Sequence, residues 1–382
     1  MSKRRLDTQL VHAGEPQPRI AGAVSMPIFQ SSTYLSGGEA SYHDIRYLRL
    51  NNSPNHDVLH DKLATIEGAE AALVAASGMA AISTTLLAML GPSDHILAQR
   101  CLYGGTHELL TQDLATLGIE HTFVDVADPA SWAAAVRPNT KAFYCESITN
   151  PMLDVGDLPA VAQFAREHEL VSIIDNTFAT PVNFRPIDHG FDLVVHSATK
   201  YLNGHSDIVA GAVMGRRDLV ESIRRKLNHL GGTLDPHACF LLHRGLKTLA
   251  VRVRHHNASA QRLAEALSKH PRVVAVRYPG LASHPDHARA TQLMRGFAGM
   301  LSFEVEGGLD AAQRVIDRLI LAVDAPSLGG PETLVTRPAG TSHVGLEPQE
   351  RLSLGISDGL IRVSVGLEDP DDLVADFEAA LE

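Results

Sequence analysis

The sequence predicts an α/β protein with a mainly parallel sheet covered by helices, followed by a smaller α+β domain. Two observations predict the first part. Short apolar runs alternate with amphipathic stretches from about residue 55 to 240, and the runs are too apolar for one face to meet water, as strands buried on both faces must be. A third observation predicts the second part, because the pattern lengthens and changes character near 245–255.

Taken in order, the strand-like runs are Ala71–Ala76, His95–Ala98, Glu120–Val124, Lys141–Cys145, Leu170–Ile174, Asp192–His196 and Ile208–Val213. Helical patterns fall between them at Gly78–Leu90, Thr106–Leu117, Pro129–Val136 and Leu158–His168. The first fifty or so residues, with PQPRIAG, SMPIFQSS and SGGEASY, are rich in turn formers and show little helical periodicity. Beyond the boundary come the amphipathic TLAVRVRHHNASAQRLAEALSKH, the strand-like VVAVRYPG, a helix in HARATQLMRGF and the strand MLSFEVEG. A helix from Asp310, the strand LIRVSVG and a last helix in DPDDLVADFEAALE complete it. The division is an arm over 1–54, a main domain over 55–248 and a C-terminal domain over 249–382.

Composition removes several functional classes. The chain has 382 residues and 45% hydrophobic content, enough for large buried cores. Its net charge of −11 argues against a nucleic-acid partner, which needs a basic face. The basic run Lys3–Arg4–Arg5 is too short for such a patch and reads as a solvated tail. Three scattered cysteines, Cys101, Cys145 and Cys239, show neither a disulfide framework nor metal-ligand spacing. His255–His256 and His284–His287 read as surface histidines, so no metal is expected. MSKRRLDTQLVHAGE lacks the apolar stretch of a secretory signal, and no apolar run approaches bilayer length, so the expectation is a cytoplasmic protein with no membrane contact.

Three segments carry chemistry. In DLVVHSATKYLNGH an apolar strand ends in Ser197, Thr199 and Lys200, at the kind of strand end where open α/β sheets bind ligands. A lysine that forms Schiff bases needs such a partly desolvated place. In LVSIIDNTF a second strand ends in Asp175, the residue type that pairs with the pyridine nitrogen of pyridoxal phosphate (PLP). In AALVAASGMAAIS a strand turns through Ser77, Gly78 and Met79 into a helix whose unpaired N–H groups suit a phosphate; Ser77 is equally a plain N-cap. Each feature alone is commonplace. The strand–Asp and strand–Ser-x-Thr-Lys pair, 25 residues apart, is much less so.

Together with CLYGGTH, ESITNP, SLGGPETL and GLIRVSVGLED, these segments resemble the Cys/Met-metabolism PLP enzymes from about Thr8 to about Phe377. That family includes cystathionine γ-synthase, cystathionine γ- and β-lyases and methionine γ-lyase. The resemblance implies the aspartate-aminotransferase-like fold of type I PLP enzymes and homotetramers built from catalytic dimers. It makes Lys200 the cofactor-bearing lysine and proton carrier, Asp175 the partner of the ring nitrogen and Asn150 that of the ring hydroxyl. Ser77, Gly78, Met79, Ser197 and Thr199 would hold the phosphate, while Tyr103 would stack on the ring and assist proton transfer. Arg362 and Ser327 would receive the substrate α-carboxylate. Tyr47 and Arg49 would reach the phosphate of the adjacent subunit, with Tyr47 also near substrate.

The resemblance implies a PLP-dependent carbon–sulfur lyase that removes a γ-substituent from a cystathionine- or methionine-like amino acid, giving 2-oxobutyrate, ammonia and a thiol. The alternative is γ-replacement on an O-acyl-homoserine by a thiol. Three positions depart from the family pattern. LNNSPNH follows the Tyr-x-Arg pair where the family commonly has G-N-P-T, Gly105 stands where methionine γ-lyases carry a cysteine, and Pro326 replaces a glutamate able to meet a distal ammonium. Glu39 and Asp44 are other acids available for that last task. The departures leave the reaction class standing and the substrate open.

Overall fold

A computed structural model describes residues 4–42, 44–345 and 347–382. Lys3, the first residue of the expected basic tail, lies outside them, and Arg4 and Arg5 are exposed. Two sheets organise the chain. The larger holds β1 (Ala71–Ala75), β2 (His95–Gln99), β3 (Glu120–Val124), β4 (Thr140–Glu146), β5 (Val171–Asp175), β6 (Leu193–Ser197) and β7 (Gly211–Gly215). Its order is β1-β7-β6-β5-β4-β2-β3. From β6 to β3 all pairs are parallel, and β7 runs antiparallel to both its neighbours.

The apolar runs now have their physical reason. Successive residues along each strand enter different cores: Leu73, Ile96, Ile173 and Val195 face one, and Val74, Leu97, Ile174 and Val194 the other. A sheet covered on both sides has no polar face to show in its sequence. Five helices open on the same device, a capping Ser or Asp followed by Pro in the first turn: Ser53 with Pro54, Asp128 with Pro129, Asp157 with Pro159, Asp235 with Pro236 and Asp369 with Pro370. The cap oxygen takes an orphan N–H, and proline there lacks one that would need an acceptor.

The smaller sheet holds β8 (Val273–Arg277), β9 (Met300–Val305), β10 (Val323–Asp324), β11 (Leu334–Thr336) and β12 (Leu360–Ser364), in the order β10-β11-β12-β9-β8. Strands β10 and β11 were not legible as strands because they are two and three residues long. The helix Leu249–Leu267 packs on this sheet and shares one core with the larger sheet's second face.

The N-terminal stretch departs from expectation at its start. Leu6–His12 is helical, and its Leu10 is buried in that shared core against Leu59 and Leu63. Seven residues give the pattern too few turns to register a period. The histidines also depart from expectation. His256 is fully buried with Nδ1 on the carbonyls of Val365 and Gly366, and His284 is buried with Nδ1 accepting the Asp286 N–H. They are internal hydrogen-bonding groups rather than surface residues. Among the described residues no helix is long and apolar enough to cross a membrane, and no three metal-ligating side chains converge.

Candidate active site

Parallel strands place their last residues at one edge of the sheet. Here β4, β5 and β6 end in Glu146, Asp175 and Ser197, and all three line a cavity of about 640 Å³. Residues from the smaller-sheet half close the other side, chiefly Pro326, Ser327, Ser342 and Arg362. Ser77, Gly78, Met79, Tyr103, Asn150, Thr199 and Lys200 line the same volume.

At one end β1 turns into the helix Gly78–Met89. Ser77 caps it, its Oγ accepting the Ala80 N–H at 3.0 Å. The Gly78 and Met79 N–H groups belong to the first turn, where no helical carbonyl can reach them. Gly78 is required by closeness: a Cβ there would sit 2.8 Å from the Ser197 Cβ and 2.9 Å from its Oγ. Ser197 is held by its N–H bond to Thr177 Oγ1 at 2.8 Å. Thr199 differs, because its hydroxyl donates to the Ala210 carbonyl and accepts the Ala210 N–H, so its proton is committed to the chain before β7.

Lys200 Nζ donates to Ser327 Oγ at 2.7 Å. Burial, reinforced by the nearby Arg362 guanidinium, lowers its pKa from 10.5 to about 8. Ser327 adopts φ +102°, a sparsely populated region for a residue with a Cβ. It is held there from two sides, with Oγ on Lys200 and its carbonyl accepting Arg362 Nη2 at 3.2 Å.

Arg362, in the middle of β12, is buried and gives Nη1 to Asn150 Oδ1 at 3.1 Å. Its Nε is buried with no partner among the described residues. Among the described residues no acid pairs with this guanidinium, whose pKa burial lowers to about 10, so its chemistry suits a carboxylate. Asp175 is partly buried. Burial pushes its carboxyl up, opposed by the Thr177 N–H on Oδ1 at 2.9 Å and by His196.

Tyr47 and Arg49 stand apart. Arg49 gives its two terminal nitrogens to the Asn228 carbonyl and Tyr42 hydroxyl, and its guanidinium lies over the Tyr42 and Tyr47 rings. Neither residue lines this chain's own cavity. Glu39 turns inward on its own loop, bonding the Gly37 N–H.

Thr177 and Glu146 are among the polar cavity residues that sequence reasoning missed. Thr177 bonds both Asp175 and Ser197, and the Asp-x-Thr spacing of a side chain bonding two residues on was there to be read. Glu146, the acid ending the apolar β4, carried the same signal that identified Asp175.

The family model for the Cys/Met metabolism PLP-dependent enzymes matches residues 7–382. The chain is 42% identical over 386 residues to an L-methionine gamma-lyase of Pseudomonas putida, covering 98% of this chain and 96% of that protein. It is also 42% identical over 382 residues to a cystathionine beta-lyase of Coxiella burnetii, covering 99% and 98%. Among solved structures, cystathionine gamma-lyase from Lactobacillus plantarum complexed with L-serine matches with a TM-score of 0.94 at 40% identity, covering 99% of this chain and 98% of that one.

Proposed function

The chain belongs to the Cys/Met metabolism PLP-dependent enzyme family and takes pyridoxal 5'-phosphate as cofactor, and from that premise we propose a carbon–sulfur lyase acting by γ-elimination. The observation that carries the reading is Lys200 with its lowered pKa in one cavity with Arg362 and its unpartnered buried Nε.

The residues fit the group. Lys200 would carry it, Asp175 would face its ring nitrogen, and Asn150, whose Oδ1 is already taken by Arg362, has its amide N–H₂ for the ring hydroxyl. Ser197 and the Gly78 and Met79 N–H groups would take the phosphate in the cradle that a Cβ at residue 78 would fill. Thr199 supports that cradle through Ala210, and Ser77 through its cap. When bound, PLP holds the substrate amine and accepts the electron pair left at Cα.

Everything else is done by the chain. Arg362 clamps the α-carboxylate and so fixes which Cα bond faces Lys200. Lys200, half neutral near pH 8, takes the Cα proton and returns protons to the substrate skeleton. Tyr103 stands at the mouth to stack on the ring and assist those transfers, while Ile148 and Phe178 keep the walls apolar. The Cγ–S bond breaks, sulfur leaves as a thiol, and one water replaces the amine, giving 2-oxobutyrate and ammonia.

The arm over 1–54 supplies the reading's oligomeric part. Tyr47 and Arg49 lie outside this chain's cavity, which supports their reaching the cavity of a second copy in a catalytic dimer, two of which form a homotetramer. The main and C-terminal domains are 55–248 and 249–382, and the proposed location is the cytoplasm. The Pro326 side chain gives a distal substrate group neither a cation nor an acid to meet, which supports a short uncharged thioether such as that of methionine.

L-Cystathionine tests the regiochemistry. The PLP-loaded protein is expected to release 2-oxobutyrate and cysteine. Pyruvate and homocysteine would overturn γ- in favour of β-elimination. No oxo acid from cystathionine or methionine, with a thiol joined to O-acyl-homoserine instead, would overturn the lyase reading in favour of replacement.

A further inference from the structure

Glu146 closes β4 and stands opposite Asp175 in the parallel β4–β5 ladder. Its Oε1 accepts the Tyr103 N–H at 2.7 Å, and the Asn150 N–H offers its carboxyl a second bond. Its own N–H is tied to Gln99 Oε1 on β2 at 2.8 Å. Asn150 continues the connection, since its Oδ1 accepts Arg362 Nη1, Arg362 Nη2 reaches the Ser327 carbonyl, and Ser327 Oγ accepts from Lys200. Bonds therefore link Glu146 to the groups proposed to bind ring, substrate carboxylate and migrating proton.

We propose that Glu146 is a positioning residue that, as a neutral carboxylic acid, fixes Tyr103 and Asn150 around the cofactor without placing a second negative charge beside Asp175. The inference rests on the reading of this cavity as the PLP site. Neighbouring strands lie about 4.8 Å apart, so two carboxylates in register would repel strongly, and one of them takes a proton. Burial raises Asp175 too, but the Thr177 side chain and N–H, and then His196, favour its negative form. Burial, and then Asp175 itself, pushes Glu146 well above the carboxylate range. Tyr144, Cys145 and Cys101, which also feel Glu146, are kept neutral by burial, which pushes them up. A neutral carboxyl still offers acceptor oxygens to both N–H groups.

The test compares Glu146→Gln with Glu146→Ala by PLP affinity of the apoprotein, the pH midpoint of the bound cofactor's visible band, and kcat and KM. Gln reproduces a neutral acceptor, so it is expected to stay within about threefold of wild type with an unmoved midpoint. Ala removes the acceptor of two N–H groups, so PLP affinity is expected to fall about tenfold or more, the midpoint to move, and kcat to fall more than KM changes. Ala behaving like wild type would overturn the proposal, as would Gln failing as badly as Ala. Should Ala not fold, Asp replaces it: Asp impaired beside a near-normal Gln is expected, and the reverse order overturns it. A Lys200→Ala protein that still captured PLP covalently would instead show that the reading of the site had failed.

Discussion

Lys62 is buried and Lys200 partly so, and burial lowers the pKa of each from 10.5 to about 8, yet their surroundings differ in kind. Lys62 is closed in: its Nζ donates to the Leu10 carbonyl at 2.8 Å and lies 4.0 Å from Glu15 Oε1. Glu15 is held in turn by Lys247 at 2.7 Å, by His243 at 3.3 Å and by Arg19. Burial pushes the Glu15 carboxyl up, but Lys247, with help from His243 and Lys62, outweighs it and holds it below its ordinary value. This knot fastens residues 6–19 onto the helix Pro54–Glu67, and every charge in it faces another. Lys200 Nζ bonds, among the described residues, Ser327 Oγ alone, beside open volume and an arginine with donor capacity to spare. A perturbed lysine therefore does not mark a site by itself; unspent hydrogen-bonding capacity facing a cavity does.

The sharpest way to break that comparison is to remove each amine. Lys200→Ala is expected to lower kcat/KM by about 10³-fold or more and to abolish covalent cofactor retention after borohydride reduction. Lys62→Met is expected to leave kcat/KM of the folded protein within about twofold and to cost about 1–3 kcal/mol of stability by denaturant unfolding. Loss of chemistry in the Lys62 variant at unchanged stability would erase the distinction.

A smaller effect separates the two cationic surroundings. Arg362→Lys keeps the charge but loses the planar fork, so kcat/KM is expected to fall about 10²-fold, mainly through KM. An unchanged KM for the amino-acid substrate would remove Arg362 from carboxylate binding.

The smallest effect is in pH. Capture of PLP by the apoprotein needs a neutral Lys200, and the lowered pKa places that form nearer neutrality. The capture rate is expected to rise about fivefold between pH 7 and 8 and then level off, whereas an ordinary lysine would gain about tenfold per unit up to pH 10. A rate still climbing steeply at pH 9.5 would show that Lys200 is not perturbed.

Much of the site was legible from sequence because strand ends are local features. Asp175, Ser197 and Lys200 follow apolar runs whose parallel pairing sends their ends to one edge. Thr199 is expected at the phosphate, and what the spacing does not reveal is the bonding of its hydroxyl to Ala210 across a turn. His256 and His284 look polar in sequence, yet a carbonyl or N–H waiting inside the fold makes them internal.

By itself, the sequence determined the alternating strands and helices, the capped helix starts and the chemical types at the strand ends, since each depends on neighbours within a few residues. The tertiary structure alone decided that Arg362 on β12 meets Lys200 after β6, that Glu146 faces Asp175, and that Lys62 is sealed while Lys200 is not. Those outcomes depend on which surfaces pack together across a hundred residues or more, and on which buried polar atoms find partners once they do.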